Sequence, residues 1–239
     1  MIDIVSIFYP RRCPGCDEIL KYNKGKICDL CKPKLKFISE PRCMKCGKQI
    51  EKLEEEYCFD CRNKKHNYKK GIALLSHTGI VRKSIYSIKY NNKREYVDFY
   101  VEEIIKRYKN EIESWGCNVI IPIPLHKKKA LSRGFNQAEV IAKKLSKGLG
   151  IPMDKRTLLR VKNTLPQKEL NDIQRKKNLK NAFKINRNRR QKSKELFKKI
   201  ILVDDIYTTG STIDACAKVL LDNGFKEVYY ISLSIGTGY

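Results

Sequence analysis

Eight cysteines stand in four C-x-x-C pairs, Cys13/Cys16, Cys28/Cys31, Cys43/Cys46 and Cys58/Cys61, and the pairs open at a constant interval of fifteen residues. A two-residue gap lets both thiolates of a tight turn reach one ion at roughly 2.3 Å, and two such turns complete a tetrahedron. Four pairs therefore make two sites of four thiolates, each for one structural Zn²⁺. Pro14-Gly15, and Gly47 after Cys46, suit such turns. An iron–sulfur cluster is a rival, but its common spacings differ from this even pattern. A disulfide framework belongs to oxidising compartments. The opening residues Met1-Ile2-Asp3-Ile4-Val5 lack a basic leading region, and Tyr9-Pro10-Arg11-Arg12 cuts their apolar run short. They do not read as a signal peptide, so a cytoplasmic location is expected. Which pairs share an ion stays open: consecutive pairs give two ribbons in a row, alternate pairs a crossed brace. Consecutive pairing closes the shorter loop at lower entropic cost and is the expectation. Cys117 and Cys216 fall outside the pattern and are expected to be buried thiols.

After Cys61 the pattern changes. Arg62-Asn63-Lys64-Lys65-His66-Asn67 is polar and reads as a linker between a cysteine-rich module at 1–66 and a second domain at 71–239. Ile72 to Ser76, Val119 to Pro124, Ile200 to Val203 and Val228 to Leu233 read as strands. Helical spacing links Val81, Ile85 and Ile88, then Tyr96, Tyr100, Ile104 and Tyr108. Gln137 to Leu149 and Ser211 to Leu221 read as two more helices. Strands apolar on both sides that alternate with helices predict an α/β fold, a mostly parallel sheet with helices on both faces. Ligands of such sheets lie at the carboxyl ends of the strands, here residues 122–137 and 204–212. No apolar run approaches the length of a membrane span.

The formal net charge is +25. Residues 126–200 carry 24 basic and 5 acidic side chains, against 17 and 10 in residues 1–75 and 2 and 5 in the last 39. The middle stretch would attract a polyphosphate or a nucleic acid. The cysteine module is nearer neutral, because eight thiolates and two Zn²⁺ bring its formal +7 to about +3.

One segment carries most of the chemistry. The strand Ile200-Ile201-Leu202-Val203 is read as ending in Asp204-Asp205, and Ile206-Tyr207-Thr208-Thr209-Gly210-Ser211-Thr212 leads into a helix. Free backbone amides at a helix start, four hydroxyls and one glycine make a cradle for a phosphate monoester. It holds no lysine and is not a G-x-x-x-x-G-K-[ST] loop. Two carboxylates would repel that phosphate. They suit sugar hydroxyls instead, or a Mg²⁺ that bridges to the ligand.

This segment resembles the signature of type I phosphoribosyltransferases, which bind 5-phosphoribosyl-1-pyrophosphate (PRPP). The resemblance implies that Asp204 and Asp205 meet the ribose hydroxyls and that Thr208, Thr209, Gly210, Ser211 and Thr212 hold the 5′-phosphate. Pro122-Ile123-Pro124-Leu125-His126 and Arg133-Gly134-Phe135-Asn136-Gln137-Ala138 resemble the ComF family, named for bacterial natural competence. So do Lys89-Tyr90 and the spread pattern Gln167, Leu170, Arg175, Asn178 and Ala182-Phe183. Cysteine knuckles ahead of a transferase-like domain are that family's architecture. The resemblance further implies PRPP with Mg²⁺ as ligand, Arg133 and Lys89 near the pyrophosphate, residues 160–180 as a mobile hood, and a link to DNA uptake with single-stranded DNA and other competence proteins as partners. His126 is a candidate acid or base, or a plain helix start. No residue names an acceptor. An active transferase, a PRPP-responsive component of DNA uptake and a zinc-ribbon regulator with a retired transferase domain all remain open.

Overall fold

The computed structural model describes residues 10–21, 25–163, 174, 179–189 and 198–236. In chain order its elements are a short helix α1 (Phe59–Asn63), β1 (Lys70–Ser76), α2 (Gly79–Tyr90), α3 (Val97–Ser114), β2 (Val119–Pro122), α4 (Lys127–Arg133), α5 (Gln137–Leu149), β3 (Leu158–Arg160), β4 (Phe183–Ile185), β5 (Lys199–Tyr207), α6 (Ser211–Leu221) and β6 (Glu227–Ile235). Strands pair in the order β1-β6-β5-β2, and every neighbour is parallel. All four carboxyl ends therefore open on the same side. β3 and β4 form a separate antiparallel ribbon.

Each sheet face has its own core. On one, Val81, Ile85 and Ile88 of α2, Ile104 of α3 and Ile141 of α5 close over Ile72, Ile120, Ile201 and Ile231. On the other, Ile213, Ala217 and Leu220 of α6 share the cover with Cys43, Cys46 and Cys58 and with Phe183 of the ribbon. Each fully buried aliphatic side chain contributes about 1.5–3 kcal/mol. The cysteine-rich part also borders β1: Ile38 N donates to Leu74 O at 3.0 Å and Ser76 N to Lys36 O at 2.9 Å. A short run of that part thus pairs with the free edge of the sheet, an edge that would otherwise invite other chains.

The main helices and strands fall where the periodicities predict them, with three differences. β5 does not stop at Val203. β6 continues to pair with it out to Tyr207↔Ile235, so Asp204 and Asp205 lie inside the strand rather than at its end. Helix α4 has no apolar stripe to announce it. It rests on end signals, with His126 Nδ1 accepting from Lys128 N at 3.3 Å and Gly134 closing it at φ 77. The β3–β4 ribbon joins strands of three residues each, too short for a pattern. No helix among the described residues is long and apolar enough to cross a membrane.

Candidate functional site

Cys13, Cys16, Cys28 and Cys31 form one thiol cluster, and Cys43, Cys46, Cys58 and Cys61 the other. Consecutive pairs share a site, in keeping with the shorter-loop argument. A tetrahedron with bonds of about 2.3 Å has sulfur–sulfur edges of about 3.8 Å. The sulfurs of Cys13 and Cys28 are 3.5 Å apart, those of Cys16 and Cys28 3.8 Å, and those of Cys46 and Cys58 3.6 Å. The residues fit zinc, which in such closed sites contributes directly to folding.

Between β5 and α6 the chain turns through Thr208, Thr209 and Gly210. Among the described residues, nothing accepts a hydrogen bond from the backbone N–H of Thr208, Thr209, Gly210 or Ser211. Four free amides therefore meet at the positive end of an eleven-residue helix. Thr209 Oγ1 and Ser211 Oγ lie 2.9 Å apart, Thr208 is exposed, and Thr212 sits partly exposed in the first turn of α6. Gly210 has φ 75, and a Cβ there would stand 2.4 Å from the Tyr207 hydroxyl oxygen, so this position admits only glycine.

The floor beneath Gly210 is aromatic. The Tyr207 ring stacks on Tyr230 at 4.8 Å, and its hydroxyl shares a 2.6 Å hydrogen bond with that of Tyr68. The Tyr230 hydroxyl donates to Cys46 O at 2.7 Å. The loop thus rests, through two rings, on a ligand of the second zinc site.

Successive side chains of a strand point to opposite faces, and the acid pair obeys this. Asp205 is buried and ion-paired to Lys89 Nζ at 2.8 Å. His77 is close by, with Nδ1 2.9 Å from Ser234 Oγ. Burial pulls the His77 pKa down, as do the charges of Lys89 and Arg82. Asp204 is the more exposed acid and accepts Asp205 N at 2.9 Å. Burial first, and then the charge of Asp205, push its pKa up to about 7, against the pull of Lys89 and Arg160.

The other expected residues fall as follows. Lys89 is ion-paired with Asp205 at 2.8 Å. Arg133 ends α4, hydrogen-bonded to Gln137 Oε1, with its guanidinium 5.1 Å from the centroid of Tyr90. Arg133 thus contacts α2, the helix that carries Lys89. His126 is a helix cap. Cys216 is buried in α6 with its pKa raised by that burial, and Cys117, half-buried, is raised to about 12 by the same cause. Ala182 and Phe183 are buried beneath α6. Gln167, Leu170, Arg175 and Asn178 lie outside the described residues, as does most of the expected hood.

Three groups at the site escaped the sequence reading. Arg160, at the end of β3, stands near enough to Asp204 for its charge to count, and burial lowers its pKa. Lys64 and His66 belong to the polar segment read as a linker. Both touch the loop region, Lys64 at Thr209 O and His66 at Asp214. Only a histidine placed within an otherwise charged connector could have hinted at this.

Comparison with known proteins adds to the geometry. The family model of the double zinc ribbon domain matches residues 4–62. The chain is 38% identical over 109 residues to Competence protein F of Haemophilus influenzae, which covers 46% of each chain. It is 36% identical over 112 residues to DNA utilization protein YhgH of Escherichia coli, covering 46% of this chain and 45% of that one. With Competence protein ComFC of Bacillus subtilis it shares 31% over 129 residues, 51% of this chain and 49% of the other. The chain thus spans about half the length of the curated relatives it matches. Two four-cysteine sites ahead of a parallel sheet thus accompany similarity, over about half of the chain, to Competence protein F and ComFC, as the resemblance to the ComF family implies.

Proposed function

We propose that the chain binds PRPP together with Mg²⁺ at the β5–α6 loop, and that this binding serves the handling of incoming DNA. The observation that carries the first part is the set of four amides around Gly210 that have no partner among the described residues. A phosphate monoester satisfies such amides without any side-chain cation. In this reading Thr208, Thr209, Gly210, Ser211 and Thr212 take the 5′-phosphate. Asp204, the more open acid, accepts from the ribose hydroxyls, while Asp205 is held by Lys89. Arg133 and Lys89 face the pyrophosphate end. Mg²⁺ beside the acid pair would neutralise charge that develops on the pyrophosphate. No residue is assigned as the catalytic acid or base.

The relatives' names, competence and DNA utilization, support the second part. So does the surface of α2. Tyr86 and Tyr90 of α2 are exposed, with ring centroids 4.7 Å apart, and Arg133 covers Tyr90. Exposed rings flanked by cations suit the stacked bases of a single strand, whatever their sequence. The alternative is a transferase acting on an acceptor without any DNA role, which the complete phosphate loop favours equally.

Calorimetric titration with PRPP and Mg²⁺, with and without a DNA oligonucleotide, separates these readings. Asp204→Asn with Asp205→Asn is expected to abolish PRPP binding while two zincs per chain are retained. Unchanged PRPP affinity in that double variant defeats the site. A steep fall of DNA affinity with salt supports the nucleic-acid part. Pyrophosphate release on adding an acceptor, with no DNA affinity, supports the alternative.

A further inference from the structure

The segment leaving the second zinc site runs directly to the phosphate loop. Lys64 lies three residues after Cys61, and its Nζ donates to Thr209 O at 2.7 Å. His66 Nδ1 is 2.7 Å from Asp214 Oδ2. Asn67 N donates to Asp214 Oδ1 at 2.9 Å, and Asn67 Nδ2 to Asp214 O at 3.2 Å. Tyr68 holds the Tyr207 hydroxyl. Within five residues, then, four side chains grip the loop or the first turn of α6.

The grip has a direction. A trans peptide points its C=O and its N–H opposite ways. Tying Thr209 O to Lys64 therefore turns Gly210 N–H away from the zinc part, and Gly210 N–H is one of the four amides without a partner among the described residues. Lys64 also brings the positive charge that the loop's own sequence lacks. It lines, with Ser211, a cavity of about 760 Å³. His66 and Asn67 engage Asp214, an acid in the first turn of α6 whose field opposes a bound phosphate.

Resting on the phosphate-site reading above, we infer that Lys64 is a positioning residue of the phosphate loop, through which the second zinc site sets the affinity for a phosphate monoester. The full chain with both zincs is titrated calorimetrically with ribose 5-phosphate. Lys64→Met is expected to weaken binding by about tenfold, the scale of one charge-assisted hydrogen bond, with two zincs per chain retained. Lys64→Arg, which keeps charge and donors, is expected to restore most of the affinity, and a merely structural residue gives no such rescue. A Lys64→Met chain that binds like the parent overturns the inference and leaves the phosphate site standing. Loss of a zinc in Lys64→Met, or failure of Lys64→Arg to rescue, makes the residue a structural strut and overturns it as well. No binding by the parent chain removes the phosphate site itself, and the inference falls with it.

Discussion

Cys13 and Cys43 open turns with the same hydrogen bonds. Asp17 N donates to Cys13 O and Gly47 N to Cys43 O, both at 2.8 Å, while Cys13 N reaches Glu18 O and Cys43 N reaches Lys48 O. Asp17 and Gly47 even share the left-handed backbone, with φ 64 and 67. What differs is the surroundings. In the first zinc site Cys13 and Cys31 are buried, but Cys16 is exposed and Cys28 half-buried, and beside the packing of Ile27 and Leu35 its contacts with the rest of the chain include polar ones, Asp17 with Lys93 at 2.8 Å and with the Tyr96 hydroxyl. In the second, Cys43, Cys46 and Cys58 are buried in the sheet's own core, with Tyr230 bonded to Cys46 and the outgoing segment bonded to the phosphate loop. One motif thus serves as a surface ribbon in one place and as part of a domain core in the other. The local turn fixes the metal geometry, and the neighbours decide what depends on it.

The sharpest way to break this comparison is to remove one ligand from each site. Cys46→Ser is expected to lose the second zinc, to lower stability by more than about 4 kcal/mol, as losing a buried metal site does, and to abolish PRPP binding. Cys16→Ser is expected to lose the first zinc with PRPP affinity within about threefold of the parent, since distant sites act independently. Metal analysis and calorimetry on both variants check this. Equal damage from the two would mean the sites are not distinct in role.

A smaller change probes the bridge itself. Tyr230→Phe leaves Cys46 O buried and unpaired, expected to cost about 1–3 kcal/mol. That corresponds to roughly 2–4 °C in melting temperature for each kcal/mol in a chain of this size. Thermal unfolding of the zinc-loaded chain measures it. The smallest effect should come from the first site's surface contact. Asp17→Asn keeps a residue tolerant of the left-handed backbone and removes only an exposed charge pair, for less than about 1 kcal/mol. A loss as large as that of Tyr230→Phe would show that the first ribbon is wired in as firmly as the second.

Much of this molecule was legible because its signals are local. Zinc ligation follows from C-x-x-C spacing, which needs only a turn. Helices over 137–149 and 211–221 follow from apolar residues at helical spacing, and each buries its predicted face. The β5–α6 loop was visible as a hydroxyl-rich turn between a strand and a helix. What escaped was non-local. Asp204 and Asp205 read as ending a strand because acids rarely sit inside one, yet pairing with β6 carries the strand through them. That α2 places Lys89 against Asp205 could not be read from its position in the sequence. Segment 62–67 read as a linker because its residues are polar, and polarity does not distinguish solvent from a partner 145 residues away in sequence.

The sequence by itself determined that two ions are held by eight thiols, that a parallel sheet follows, and which turn opens between a strand and a helix. Each of these depends on residues a few positions apart, whose geometry the backbone fixes. Only the tertiary structure decided that the second metal site joins the sheet's core, that Tyr207 stacks on Tyr230 with Tyr68 edge-on to both between zinc and loop, and that Lys64 reaches Thr209. Those contacts arise when stretches far apart in sequence bury apolar surface together, and no local spacing records which ones will meet.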